Sequence, residues 1–142
     1  MRTRGQPRGR NRADADHADH AARICRLDQH EQQCRLKDPA VNLAFGQRTL
    51  ESLSTAGYTQ GRLPKIMAAY NAGPSPVARW ESEIRDAGDP LLYMESIPYW
   101  ETRGYVAVVM RNYWMYLRQA DAPAPSRIDL AENDWPQFPK VR

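Results

Sequence analysis

The sequence predicts an all-α protein of about five helices. Three observations carry this reading. Apolar residues recur at spacings of three and four, no stretch alternates with the period of a strand, and Asp-Pro and Gly-Pro pairs punctuate the chain at helix-length intervals.

Asp38-Pro39 is a helix start, with Asp as N-cap and Pro in the first turn, where a missing N–H costs nothing. Leu43, Gly46, Leu50 and Leu53 then form one apolar face, and Gly57 fits a C-cap. A second helix is expected over 63–72, with Leu63, Ile66, Met67 and Tyr70 on one side and Gly73-Pro74 as its stop. A third is expected over 76–85, aligning Val77, Trp80 and Ile84. Asp89-Pro90 opens a short fourth helix through Leu91, Leu92 and Met94. Pro98 opens the longest, to about Gln119, with Tyr105, Val106, Val109, Met110, Tyr113, Tyr116 and Leu117 as its apolar positions. Prolines at 123, 125, 136 and 139 prevent the remainder from being helical throughout, and Trp135 and Phe138 are expected to pin it to the body.

Charge divides the chain. Residues 1–37 contain no Phe, Trp or Tyr, and hold nine Lys/Arg against five Asp/Glu. Low hydrophobicity with excess charge is the compositional mark of disorder. The expected organisation is a disordered segment over 1–36, a helical domain over 37–120 and a Pro-rich tail over 121–142. Nothing approaches the ~18 consecutive apolar residues that a membrane helix needs, so no stable membrane insertion is expected. The basic N-terminus has no apolar run behind it, so no export signal is expected, and the chain as written would be cytoplasmic.

Two segments carry the functional signal: AAYNAGPSPVARW over 68–80 and ESIPYWETRGYVAVVMRNYWMY over 95–116. Together with DPAVNLAFGQRTLESL over 38–53, they resemble, in order, the later motifs of the soluble lytic transglycosylase family. The resemblance implies a partial goose-type-lysozyme-like domain and, for the parent, cleavage of peptidoglycan at the cell envelope. By that resemblance Tyr70 lines the cleft and hydrogen-bonds to the catalytic acid, Asn71 and Ala72 border the glycan, and Glu101 and Tyr105 stand in or beside the cleft. Each residue also has a plainer reading. Tyr70 alone is a core tyrosine at helical spacing, and Glu101 in a first helical turn suits the helix dipole. Tyr105 follows Glu101 at i+4, so both can face one side. The aromatic run of Tyr113, Trp114 and Tyr116 reads as core packing.

Glycoside cleavage usually needs two carboxylates. The resemblance implies one glutamate in both roles. It protonates the oxygen between N-acetylmuramic acid and N-acetylglucosamine, then takes the proton of the sugar's own 6-hydroxyl, leaving a 1,6-anhydro end. No metal or cofactor is required. In the family that glutamate lies in a Glu-Ser motif followed by a GLMQ-type motif, both well before AYNAG, and residues 1–67 contain neither arrangement. Glu51-Ser52 comes too late and lacks a following GLMQ, and Glu95-Ser96 lies beyond AYNAG. The catalytic set is therefore expected to be empty and the chain inactive. Codons can be chosen for residues 6–18 so that reading one base later gives SRAGATGLMQIMP, which leads to the expectation of a frameshift or mis-called start, with the family frame regained near Leu36-Lys37-Asp38.

Three other readings compete. A zinc site from His17, His20, Cys25, His30 and Cys34 fits no standard finger spacing. Nucleic-acid binding through Arg2, Arg4, Arg8, Arg10 and Arg12 lacks interleaved aromatics for base stacking, so no nucleic-acid partner is expected. A non-catalytic glycan-binding remnant keeps peptidoglycan strands as the partner. Loss of the helices that precede these motifs should expose apolar surface. The oligomeric state is not legible.

Overall fold

A computed structural model of the chain describes residues 39–139, which contain six helices and no strand. These are α1 (Pro39–Ser54), α2 (Leu63–Ala72), α3 (Pro74–Glu83), α4 (Pro90–Ser96), α5 (Trp100–Gln119) and α6 (Pro125–Ala131). The Asp38 cap, the zinc candidates and the arginine-rich arm lie outside the described residues. Residues 43–139 form one compact unit, and the first turn of α1 belongs to a separate one.

The centre of that unit is α2. Residues 63–69 are all buried, and α2 packs against both α3 and α5. Its residues meet Leu53 of α1, Val77 and Trp80 of α3, Tyr93 of α4, Ile97, and Val106 and Met110 of α5 in one apolar core. Short helices such as α2 are marginal alone and gain their stability from such packing. Gly73, at φ 92° and ψ 161°, ends α2, and its N–H donates to the carbonyl of Ala69. That backbone region is essentially restricted to glycine, and it lets the chain turn straight into α3.

Several expectations are corrected. Helix α3 begins at Pro74, two residues earlier than expected. The N–H groups of a first turn have no intrahelical acceptor, so Pro74 and Pro76 both fit there and neither delays the start. Helix α5 begins at Trp100, because Tyr99 is still extended (φ −83°, ψ 109°). The Arg103 guanidinium donates to the Ile97 carbonyl from Nε at 3.3 Å and Nη2 at 2.9 Å, which holds residues 97–99 outside the helix. The tail contains a helix of its own, α6, which raises the count to six. Pro123 and Pro125 precede or open it and Pro136 and Pro139 follow it, so the prolines frame this helix.

Leu43 and Tyr116 were assigned to apolar faces, yet they are 76% and 69% exposed. Helix α1 meets the core through Leu50 and Leu53, and Leu43 lies at least two turns earlier, where no described residue covers it. Tyr116 falls beyond the last core contacts of α5. Its neighbours Tyr113 and Trp114 do pack against the core, as expected.

The end of the chain returns to the start of α2. The Leu63 N–H donates to the Pro136 carbonyl at 2.7 Å and the Phe138 N–H to the Gly61 carbonyl at 2.8 Å. Arg62 and Gln137 pair as an isolated antiparallel bridge. Trp135 and Phe138 pack against the core, matching the expectation that they anchor the tail. Helix α6 is held by Trp114, whose Nε1–H donates to Ser126 Oγ at 3.0 Å.

Candidate cleft wall at the α2–α5 junction

The expected site residues fall at two places in the chain, the C-terminal end of α2 and the first two turns of α5. Packing of α2 on α5 brings them together. Tyr70 is half-buried and rests on the core. A Cβ added to Gly46 of α1 would lie 3.7 Å from the Tyr70 hydroxyl oxygen, so the phenol reaches the bare surface of α1. Tyr105 is half-buried on α5. Burial first, and then the neighbouring Tyr70, push its phenol above the ordinary value. Two tyrosines on different helices thus lie near one another, with a glycine on a third helix beside the Tyr70 hydroxyl.

Asn71 is tied into the same junction. Thr102 Oγ1 donates to Asn71 Oδ1 at 2.7 Å, and Thr102 is almost wholly buried. The bond occupies the amide oxygen of Asn71 and fixes which way the amide plane faces. Ala72 is half-buried against the core at the last residue of α2. Glu101 lies one helical turn before Tyr105 and is exposed. Tyr70, Asn71, Ala72 and Tyr105 therefore lie at the junction, and Glu101 is exposed in the first turn of α5.

Sequence reasoning missed Thr102, the residue that joins the two segments. Its signal was the position between Glu101 and Arg103, four residues before Val106, which places it on the core face. It also missed Lys65. This lysine is 2% exposed, inside the most buried stretch of the chain. It pairs with Glu81 and lies over the rings of Tyr93 at 5.2 Å and Trp135 at 5.1 Å. Arg62 covers the Trp135 ring at 4.5 Å. Tyr93 Oη and Trp135 Nε1 are buried there without a hydrogen-bond partner. Burial, followed by Glu81 and Asp86, raises the Tyr93 phenol well above its ordinary value.

The two Glu-Ser pairs do not serve this junction. Glu51 is exposed and accepts from Gln47 Nε2 at 3.1 Å. It lies about 140° around α1 from Gly46, at 100° per residue. Glu95 is exposed on α4. Among the described residues no group of three or more His, Cys, Asp and Glu is placed to hold a metal ion. No described helix is long and apolar enough to cross a membrane.

The family model described as the transglycosylase SLT domain matches residues 16–91, more than half of the chain. The chain belongs to the transglycosylase SLT family. The match takes in the helix before AYNAG, AYNAG itself and α3, and it begins ahead of Lys37. The chain is also similar to the soluble lytic murein transglycosylase of Escherichia coli strain K12, 32% identical over 117 residues, which is 81% of this chain and 17% of the relative. An alignment of that extent necessarily includes both the Tyr70 and the Tyr105 segments. The corresponding protein of Salmonella typhimurium is 33% identical over 95 residues, covering 66% of this chain and 14% of that protein. A putative soluble lytic murein transglycosylase of Haemophilus influenzae is 37% identical over 89 residues, 60% of this chain and 14% of that one. This SLT-family chain therefore spans about a sixth or less of the length of the curated relatives it matches. No solved structure matches it.

Proposed function

We propose that this SLT-family chain forms one wall of a peptidoglycan-binding cleft and does not cleave the glycan by itself. The observation that carries the reading is the α2–α5 junction. There two half-buried phenols, an amide locked by Thr102 and a helix end meet, with the Tyr70 hydroxyl beside the bare surface of Gly46. Hydroxyls, an oriented amide and glycine-smoothed backbone are groups that contact a sugar ring, and binding sites characteristically combine an apolar surface with a few fixed polar groups. The murein named in the relatives supplies the substrate class, and the cell envelope is the proposed place of action.

Lack of cleavage follows from the chemistry of the proton donor. The leaving oxygen of a glycosidic bond must be protonated by an acid held beside it, in surroundings that keep it protonated at neutral pH. Glu51, Glu95 and Glu101 are all exposed, and the Glu-Ser to GLMQ order of the family is missing from residues 1–67. A wall whose described residues seat no donor beside the sugar holds the substrate and leaves the bond intact.

Cosedimentation with purified sacculi tests the binding half of this reading. Wild-type chain is expected to be retained weakly, with retention falling in Tyr70→Ala and Asn71→Ala variants that keep their helical dichroism. A wild-type chain that stays wholly in the supernatant refutes the reading.

A further inference from the structure

We propose that residues 135–138 form a latch that lifts as one unit from the start of α2 ahead of global unfolding, so that the first turn of α2 alternates between a pinned and a freed state. The inference is independent of the peptidoglycan reading. Its observations lie at the opposite end of α2 from Tyr70 and Asn71.

The seat is built into the turn before α2. Gly61 holds φ +70°, a region that L side chains rarely adopt, and an added Cβ there would come within 3.1 Å of Gln137 Oε1. Bare backbone therefore lets the returning chain approach closely. The Leu63 N–H donates to the Pro136 carbonyl and the Phe138 N–H to the Gly61 carbonyl, on either side of the Arg62–Gln137 bridge. Arg62 and Lys65 lie over the Trp135 ring, and Tyr93 packs against it with ring centroids 5.5 Å apart. With the latch seated, α2 is held at both ends, by residues 136 and 138 at its start and by Thr102 on Asn71 at its finish.

Forces that oppose seating sit in the same contact. The Trp135 Nε1–H is buried without an acceptor. An orphaned donor opposes docking by at least as much as one backbone hydrogen bond favours it. The indole also helps to cover Lys65, which is 2% exposed, and taking a cationic side chain out of water is costly even when it is paired. Lifting Trp135 returns water to both groups. The apolar contacts of Trp135, Pro136 and Phe138 are thus offset within the latch itself, which is the condition for a segment poised to open.

The connection to the body is slender. Residues 131–134 are all exposed, and the N–H groups of Asn133 and Asp134 donate to the Leu130 and Asp129 carbonyls of α6, so this stretch folds back on α6 and not on α2. Pro139, on the far side of the latch, is exposed. A short segment held by few backbone bonds, between exposed neighbours, opens locally before a core helix does.

Native-state hydrogen exchange followed by NMR tests the latch on the wild-type chain. The Leu63 and Phe138 amides should share one protection factor, at least roughly tenfold below that of Met110 in the middle of α5, with a weaker dependence on urea because local opening exposes little surface. Equal protection of Leu63, Phe138 and Met110 overturns the latch, and so do unequal protections of Leu63 and Phe138, which would show that they do not open together. In Arg62→Ala both amides should exchange roughly two- to fivefold faster, as loss of a partly exposed cation–π contact predicts. Unchanged exchange at both amides in that variant overturns it as well, because opening would then leave the Arg62–Trp135 contact intact.

Discussion

Thr102 donates its hydroxyl hydrogen to the side-chain oxygen of Asn71 at 2.7 Å, joining the end of α2 to the first turn of α5. The two residues are 31 positions apart, and each belongs to a separate sequence motif. The bond is what turns two motifs into one surface. Thr102→Val keeps the shape and removes the donor, leaving the amide oxygen without this partner. It should lower stability by about 1 kcal/mol, roughly 5 °C in melting temperature. Retention on sacculi should fall further than the stability loss explains. A variant that melts and binds as wild type would show that the bond positions nothing.

Gly73 ends α2 and begins the turn into α3 in a backbone region that L side chains avoid. The nearest side-chain atom to an added Cβ, Pro76 Cδ, lies at 3.9 Å, which is ordinary contact. The cost of Gly73→Ala is therefore one of backbone strain. It should amount to about 1–3 kcal/mol, read as a lower urea midpoint with an unchanged slope.

Lys65 and Glu81 form a pair whose members differ in burial, with side-chain exposures of 3% and 31%. Removing the partially exposed carboxylate leaves a cation inside the protein, whereas removing the lysine leaves an anion that water can reach. Glu81→Gln should therefore destabilise more than Lys65→Met, by a margin on the order of 1–2 kcal/mol. Urea melts of the two variants check the order, and a reversed order would show that the lysine's position over Tyr93 and Trp135 already neutralises its burial.

The Tyr93 hydroxyl is buried without a hydrogen-bond partner, so Tyr93→Phe should be neutral or slightly stabilising near pH 7. The same tyrosine and Tyr105 ionise later in the folded chain than the ordinary phenol at 10.0. The folded state keeps these protons where the unfolded chain gives them up. Their contribution is thus complete below about pH 10 and shrinks as pH rises from there toward the raised values. Wild type should lose stability above about pH 10 more steeply than Tyr93→Phe, measured as melting temperature against pH. Parallel curves would contradict this.

The helices were legible where local chemistry decides them. Asp89 caps α4 as its sequence implies, its carboxylate accepting from the N–H groups of Leu91 at 2.8 Å and Leu92 at 3.0 Å. Helix α2 begins and ends where the apolar spacing and Gly73 place it. Leu43 and Tyr116 were misread because periodicity identifies a face without saying how far along the helix its partner extends. The buried Lys65 was invisible for a related reason: a cation inside a core depends on Glu81 and Trp135, which are distant in sequence. The candidate site was legible as two motifs. Their joining through Thr102 depends on how α5 lies on α2, which no local pattern encodes.

Mass spectrometry of the soluble products, after the chain is incubated with purified sacculi, reaches the central claim most directly. Protein retained on the sacculi with no 1,6-anhydro-muropeptides in solution is the predicted result. Anhydro ends released by this polypeptide, and not by a heat-denatured sample of it, would contradict it.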